Sequence, residues 1–326
     1  MANTFAPNGF QQYQGTGATP SYEQTQMVIA SGNTTPIFFG DPVVMSASTT
    51  GVGTGYINQA YGPITLTVGA TAITTNATTG ALTVTITAPT TSTSGNLPSS
   101  PNAFAAPIGS YITIVGSTMS SGNLNGTYQV TSSTTTTIVC ANAGATINAT
   151  STASGTVTLY TPIAGVFVGC KYLSTSQKKV VWGNYWPGSD ANGDVTAYVV
   201  TDPNAQFIVQ TANSNTTATA VGLASVGQNI GFNYNDSTAT GETLGNTANG
   251  LSTYFADQYS LIANSNAGAV ANNFLPFRII GLANYTPGQT SPLVSINGND
   301  STTAYNKIIV GFNLSLIHIS EPTRPY

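Results

Sequence analysis

Short stretches in which apolar and polar residues alternate recur along almost the whole chain. Alternation with a period of two is typical of strands that bury one face. It is clearest in Thr196–Thr201 and Gln206–Gln210, whereas Val166–Val168 and Val180–Trp182 are continuous apolar runs of the kind found in buried strands. No clear helical pattern accompanies them. The chain is therefore predicted to be an all-β protein.

The segment from residue 62 to residue 161 differs in composition from its surroundings, because it is rich in threonine, serine, alanine and glycine and carries no charge. Short strand candidates separated by turn-forming clusters predict a small antiparallel β-sandwich, with a low-complexity spacer as the alternative. The candidates are Ile64–Val68, Leu82–Ile86, Tyr111–Val115, Thr127–Thr131, Thr137–Cys140 and Thr156–Leu159. We expect this sandwich to be inserted into a discontinuous β-barrel or sandwich core domain, residues 26–61 and 162–313.

Several segments outside the strands have patterns of their own. Residues 1–25 lack periodicity and predict an extended N-terminal arm that becomes ordered only against a neighbouring molecule. Gly40-Asp41-Pro42 predicts a turn, and Asn192-Gly193 predicts a two-residue hairpin with positive φ at both positions. Lys178-Lys179 is interpreted as a solvated turn, and residues 232–250 as an exposed loop.

The end of the chain has a sequence unlike the rest. Leu314–Arg324 resembles the translation of a transposase-type sequencing adapter. The resemblance implies that residues 314–326 are not native and that the native C-terminus is missing, so this tail is excluded from reasoning about fold and sites. His318, the single histidine of the chain, lies inside it.

Composition narrows the possible functions. Charged residues make up 5% of the chain and the net charge is −4, whereas about 25% is usual for a soluble domain. Because the part before this tail contains no histidine, it cannot form a Ser-His-Asp or Cys-His catalytic site. It also cannot bind a metal through imidazole. The small number of basic residues argues against nucleic-acid binding. No apolar run is long enough to span a membrane. Because the N-terminus lacks the features of a signal peptide, we expect the protein to be made and kept in a cytoplasm, or to be carried out by assembly rather than by secretion.

Asp190-Ala-Asn-Gly-Asp194 is the strongest candidate for a metal site, because its oxygens match positions one, three and five of a calcium loop. Val195 and Thr201 stand where that loop needs glycine and glutamate, so an ordinary turn is favoured. The same two aspartates could serve as a glycosidase pair, but nothing in the sequence indicates a cleft between them.

The remaining candidates are aromatic residues and thiols. Trp182, Tyr185 and Trp186 could stack on a sugar, although a core or subunit-interface role is favoured. Cys140 and Cys170 lie in apolar, strand-like sequence and predict buried reduced thiols, with a disulfide as the alternative. We predict no catalytic, cofactor-binding or metal-binding residue, and no enzyme.

Six short motifs occur in a fixed order outside the 62–161 insertion. They are Met1-Ala-Asn-Thr-x-Ala-Pro-x-Gly-Phe10, Phe39-Gly-Asp-Pro-Val43, Gly165-Val-Phe-x-Gly-Cys-x-Tyr172, Tyr185-Trp-Pro-Gly188, Ala197-Tyr-Val-x-x-Asp-Pro-x-x-x-Phe-x-Val-Gln210 and Phe277-Arg-Ile-Ile-Gly281. In this order they resemble a family of tailed-bacteriophage virion proteins of the head decoration, or cement, type. The resemblance covers about residues 1–60 and 162–313, and shorter members of the family lack the insertion.

The resemblance implies a capsid decoration protein on the exterior of the virion, assembled in the host cytoplasm. Its expected partners are the major capsid protein and further copies of itself. The family supplies no catalytic residue. The alternative is a phage fibre or receptor-binding protein whose 62–161 insertion binds host glycans. A depolymerase is a third class, disfavoured by the missing histidines and the scarce carboxylates.

Overall fold

The computed structural model describes residues 2–15, 24–45, 55–62, 64–68, 71–85, 92–94, 108–116, 125–134, 137–141, 143, 148–152, 155–214, 216–234, 243–261, 274–283 and 300–313. Strands account for 49% of the structure and helix for 4%, so the all-β prediction is confirmed. A 3₁₀ turn at Leu223–Ser225 and a short helical stretch at 258–261 are added. Within the described part, no helix has the length and apolar character needed to cross a membrane. The adapter-like tail, 314–326, lies outside the described residues.

The strands, numbered in chain order, are β1 (Gln11–Gln14), β2 (Thr25–Ile29), β3 (Pro42–Met45), β4 (Ile57–Gln59), β5 (Ile64–Val68), β6 (Ile73–Asn76), β7 (Ala81–Thr85), β8 (Ser92–Ser94), β9 (Tyr111–Val115), β10 (Gly126–Gln129), β11 (Ser132–Ser133), β12 (Thr137–Cys140), β13 (Gly155–Tyr160), β14 (Gly165–Leu173), β15 (Val180–Gly183), β16 (Val195–Val200), β17 (Gln206–Ala212), β18 (Asn229–Asn233), β19 (Gly245–Asn246), β20 (Leu251–Ser252), β21 (Phe255–Asp257), β22 (Phe277–Leu282) and β23 (Lys307–Phe312).

The chain divides into two compact units. The first contains Met1–Val44, Tyr56–Ala60 and Ile163–Tyr326, and the second contains Met45–Gly55 and Tyr61–Pro162. The second unit therefore includes the segment predicted as an insertion. It also includes Met45–Gly55, which the sequence pattern placed with the core domain.

One sheet of the first unit closes on itself. Its strands pair in the order β17-β21-β18-β22-β23, and β23 pairs back to β17. Alternate side chains of these strands point inward, as period-two patterning requires. They form a cluster rich in aromatic rings, which includes Phe207, Phe232, Phe277 and Phe312.

The other large sheet of the first unit has the order β2-β16-β14-β3-β4, with β15 added beside β14. The nine residues of β14 make it the longest described strand, and it pairs with β16, β15 and β3. One face of this sheet is buried around Phe167, Ala197 and Trp186. Since side chains alternate along a strand, the intervening residues lie on the opposite face.

The second unit consists of two antiparallel sheets with the orders β10-β9-β13-β5-β8 and β11-β12-β7-β6. Ile112, Ile114 and Val157 from the first of these sheets join Leu82 and Val84 from the second in one apolar cluster. The two sheets thus share a core. Threonines at alternate positions satisfy the strand pattern without adding charge.

The N-terminal segment differs from its prediction. Phe10 is fully buried in the aromatic cluster, and its ring stacks on Phe277 with centroids 4.3 Å apart. β1 pairs with β17, and Asn3 hydrogen bonds to the backbone of Asp300. The prediction of an arm that orders only against another molecule is wrong for residues 2–15, because Phe10, together with Phe5 against Phe255 and Tyr305, anchors this polar segment to the rest of the unit.

Two turn predictions also need correction. Positive φ falls on Asp190 (75°) and Gly193 (91°) rather than on Asn192 and Gly193. The turn does not form a hairpin, because the strand before it, β15, does not pair with the strand after it, β16. β16 pairs instead with β14 and β2. Residues 232–250 are not exposed throughout: Phe232 is buried, and β19 pairs with β20 in a small hairpin.

Candidate functional site

The three aromatic residues at 182–186 have different environments, although they are close in sequence. Trp186 is fully buried, where its indole N–H donates to the carbonyl oxygen of Asn33 at 3.2 Å. Tyr185 stacks on Phe38 with centroids 5.4 Å apart. Trp182 is 65% exposed. The structure therefore does not join them in one binding surface: Trp182 is exposed, Tyr185 is half-buried and Trp186 is buried.

Trp182 belongs to a row of side chains that crosses four strands. It pairs with Lys171, which pairs with Thr196, which in turn pairs with Val28. Directly paired residues on neighbouring strands place their side chains on the same face. The row thus lies on the solvent side of the β2-β16-β14-β15 sheet, opposite the buried side.

Residues two positions away extend this row into a surface. We call it the outer face, and it consists of Val28, Lys171, Leu173, Val180, Trp182, Thr196 and Tyr198. Val28, Leu173, Val180 and Trp182 are among the most exposed large apolar side chains described, at 41%, 42%, 50% and 65%. Isolated exposed apolar residues are ordinary, but several on one sheet face indicate a contact surface.

Trp182 is held in place by two neighbours on the outer face. Its ring stacks on Tyr198 with centroids 5.7 Å apart and planes inclined by 12°. The ammonium group of Lys171 lies 5.0 Å from the centroid of the Trp182 ring. Stacking and cation–π attraction each contribute about 0.5–1 kcal/mol at exposed positions. The indole is therefore preorganised, which lowers the entropy lost when a partner covers it.

Lysines concentrate at the same end of the sheet. Lys171, Lys178 and Lys179 are three of the six lysines and arginines of the chain, and all three belong to the β14–β15 hairpin. The turn residues Lys178 and Lys179 are exposed, as predicted. In a chain with net charge −4 this hairpin is a local positive region.

Asp190 closes the loop beside this hairpin and does not form the calcium loop considered from sequence. Its carboxylate accepts hydrogen bonds from the hydroxyls of Ser174 (2.5 Å) and Thr175 (2.7 Å) and from the backbone N–H of Ser176 (2.7 Å). These donors, the Ser174 hydroxyl first, hold the pKa of Asp190 well below its usual value. The carboxylate stabilises the turn.

Asp194 makes different contacts. It accepts hydrogen bonds from the backbone N–H of Ser31 at 3.0 Å and from the hydroxyl of Tyr56 at 2.8 Å. The Ser31 amide and the Tyr56 hydroxyl lower the pKa of Asp194. Asp190 and Asp194 thus accept hydrogen bonds from separate sets of donors and stabilise different turns. Among the described residues, no three cysteine, histidine or acidic side chains come together as a metal site.

Asp41 is the most unusual carboxyl group described. It is fully buried, and it accepts hydrogen bonds from the backbone N–H of Phe38 at 2.8 Å and from the side chain of Gln59 at 2.6 Å. Burial raises the pKa of Asp41 to about 7, and hydrogen bonds from Phe38, Ser252 and Gln59 oppose that rise. The predicted turn is present, with φ of 91° at Gly40, so Asp41 has a structural role.

The two cysteines are free and buried, as the sequence predicts. Burial raises the pKa of Cys140 and of Cys170 to about 12. A thiol in that environment carries almost no thiolate near neutral pH and is a poor nucleophile.

Sequence reasoning missed most of the outer face. It singled out Trp182 but grouped it with two buried rings, and it did not connect Val28, Lys171 and Tyr198. The signal that could have found these residues is alternation. Each residue of the outer face lies two positions from another member on the same strand or directly opposite a member on a neighbouring strand. Using that signal requires the register, which a single sequence does not contain.

Comparison with protein-family models, with curated proteins and with solved structures finds no match to this chain.

Proposed function

We propose that this chain is a non-enzymatic virion protein that decorates the outside of a bacteriophage head and stabilises the shell by protein contacts. The observation that carries the proposal is the outer face, with Trp182 65% exposed at its centre and held by Tyr198 and Lys171. Tryptophan and tyrosine are enriched among the residues that dominate the energy of protein interfaces. The order of motifs that resembles cement proteins supports a capsid partner.

The roles of the described aspartates support a contact protein rather than a catalyst. Asp190, Asp194 and Asp300 accept hydrogen bonds within or between turns, and Asp202 caps the turn that precedes β17. Asp257 is buried and accepts a hydrogen bond from the hydroxyl of Ser214. These carboxylates stabilise the loops that hold the sheets in place.

The proposed partners are the major capsid protein and further copies of this chain, which meet during assembly in the host cytoplasm. A cement protein works by adding contact area across neighbouring subunits, and each added contact opposes the dissociation of the shell. A surface formed by neighbouring strands suits that task, because the sheet holds its side chains in place before a partner binds.

The test combines the recombinant protein with purified, expanded heads of the phage whose genome encodes it. We expect it to co-sediment with the heads at saturating stoichiometry and to raise their melting temperature. Trp182→Ser is expected to weaken binding by about 30-fold, which corresponds to about 2 kcal/mol. Val226→Ser, which replaces an exposed apolar residue outside the outer face, serves as the matched control and should bind normally.

Two results would contradict the proposal. One is the absence of co-sedimentation by a protein that is folded by circular dichroism. The other is equal loss of binding in both variants, because it would mean that the outer face has no special role. Attachment to host cells that soluble host polysaccharide competes away, without binding to heads, would support the fibre or receptor-binding alternative.

A further inference from the structure

β15 is an edge strand on the sheet that carries the outer face. It pairs with β14 along Cys170–Leu173, and among the described residues no second strand lies beside it. An edge strand presents a row of backbone N–H and C=O groups that another chain can pair with.

The hairpin pattern shows which backbone groups of β15 face the open edge. The N–H of Ser174 donates to the carbonyl oxygen of Lys179 at 2.9 Å. Hydrogen-bonded and non-bonded pairs alternate along an antiparallel ladder, so the Leu173–Val180 and Lys171–Trp182 pairs are non-bonded. The N–H and C=O groups of Val180 and Trp182 therefore point away from β14.

The side chains of those two residues are exposed as well. Val180 is 50% exposed and Trp182 is 65% exposed, and both project on the outer face. Natural sheets protect their edges with prolines, bulges or charges within the strand. β15 has the sequence Val-Val-Trp-Gly and contains none of the protecting residues. Its apolar side chains would instead pack against the side chains of an added strand.

Charge indicates what kind of strand would be accepted. Lys171 lies beside Trp182, while Lys178 and Lys179 immediately precede the edge. Asp190, in the neighbouring loop, is an ionised carboxylate held by hydrogen bonds from Ser174 and Ser176, so its single negative charge leaves the three lysines in excess. An incoming strand that carries carboxylates would therefore be attracted, whereas a basic strand would be repelled.

We propose that the open edge of β15 accepts one additional strand from a partner protein, namely an extended acidic segment with apolar residues at alternate positions. Its backbone pairs with Val180 and Trp182, its apolar side chains pack on the outer face, and its carboxylates meet the hairpin lysines. This is recognition by β-strand addition. The inference rests on the proposed function in that the partner is a protein, and it adds the place and chemistry of contact.

A titration of the full chain with a synthetic peptide tests this directly. The probe is a soluble peptide of about ten residues that alternates valine with aspartate, and its counterpart replaces aspartate with lysine. The chain has two tryptophans, and Trp186 is buried, so a change in fluorescence reports on Trp182. We expect saturable binding of the acidic peptide, a blue shift of the emission, and weakening by added salt.

Three variants locate the contact. Val180→Pro removes an outward N–H while keeping Trp182 and the lysines, and should weaken peptide binding by about tenfold. The double variant Lys178→Gln/Lys179→Gln alters only exposed side chains, and should weaken binding and reduce its salt dependence. Val28→Ser lies on the outer face but far from the edge, across β16 and β14, and should bind like the unaltered chain.

Strand addition is overturned if the acidic peptide causes no saturable change up to about 1 mM, a concentration that corresponds to only 4 kcal/mol of binding. It is also overturned if the basic peptide binds equally well, or if Val28→Ser weakens binding while Val180→Pro and the lysine variant do not. Heads that bind Val180→Pro normally would overturn strand addition and leave the decoration proposal standing. Binding of the acidic peptide without binding to heads would support strand addition and overturn the decoration proposal.

Discussion

The side-chain amide of Gln59 donates a hydrogen bond of 2.6 Å to the carboxylate of Asp41, and both side chains are buried. The backbone around Asp41 joins distant segments: Phe10 donates to the carbonyl oxygen of Gly40, and Phe167 donates to that of Asp41. A titratable group therefore sits where the N-terminal segment, β4 and β14 meet. Its protonation is linked to folding.

The first prediction concerns pH. Because burial raises the pKa of Asp41 from 3.8 to about 7, the folded chain binds a proton that the unfolded chain releases between those values. The stabilisation is complete below the unfolded value and is lost as pH rises through the folded value. We expect the free energy of unfolding of the first unit to fall by about 2 kcal/mol between about pH 5 and pH 8. Urea unfolding followed by Trp186 fluorescence measures it.

Asp41→Asn provides the control for this experiment. Asparagine keeps the acceptor for Phe38 and cannot ionise, so most of the pH dependence in that range should disappear. Burial also raises the pKa of Asp257, and this group accounts for any remainder with the same sign. An unchanged pH dependence in Asp41→Asn would show that Asp41 is already ionised in the folded chain.

The second prediction compares two glycines with the same φ of 91°, Gly40 and Gly193. A Cβ on Gly193 would meet nothing within 4 Å, so Gly193→Ala should cost only the conformational strain, about 1 kcal/mol. A Cβ on Gly40 would lie 2.9 Å from the backbone nitrogen of Phe10. Gly40→Ala should therefore cost about 3 kcal/mol, measured by urea unfolding. Equal costs would mean that Phe10 moves aside freely.

The third prediction concerns the N-terminal segment. Phe10→Ala should destabilise the first unit by about 3–5 kcal/mol, since it empties a fully buried position among aromatic rings. Tyr13→Ala, at an exposed position of β1, should cost less than about 1 kcal/mol. Thermal unfolding measures the melting temperatures of the two variants. A much lower value for Phe10→Ala shows that the segment is an integral part of the first unit rather than an accessory arm. Similar melting temperatures would support the arm.

The fourth prediction uses the two tryptophans. Trp186→Ala should cost about 3–5 kcal/mol, because it leaves a cavity and removes the hydrogen bond to Asn33. Trp182→Ala should cost less than about 1 kcal/mol, because only its stacking on Tyr198 and its contact with Lys171 are lost. Chemical unfolding measures both. Comparable losses would mean that the outer face is part of the folding core.

The fifth prediction uses the buried thiols as reporters of opening. Cys140 belongs to the second unit and Cys170 to the first, and neither thiol is accessible in the folded chain. In Cys170→Ser, reaction with a thiol reagent should follow the opening of the second unit alone, and in Cys140→Ser that of the first. Rapid labelling of either thiol without denaturant would contradict their burial.

Strand positions were largely predictable, because their signal is local. β5, β9 and β12 coincide with their sequence predictions, and each contains at least three apolar residues within four or five positions. β6 and β8 were missed: β6 has one large apolar residue and β8 has none. Patterning detects a strand only where alternate side chains are apolar, whereas backbone pairing forms with any side chain that the neighbouring strand tolerates.

The sequence alone determined that this protein is all-β, that residues 1–313 contain no histidine, and that its thiols are buried, since composition and period two are properties of the chain itself. The tertiary structure decided that Trp186 is buried while Trp182 is exposed, that Phe10 anchors the N-terminus, and that Val28, Lys171 and Trp182 share a face. These depend on which strands pair and in which register, and a shift of one residue would turn every side chain of a strand to the other side.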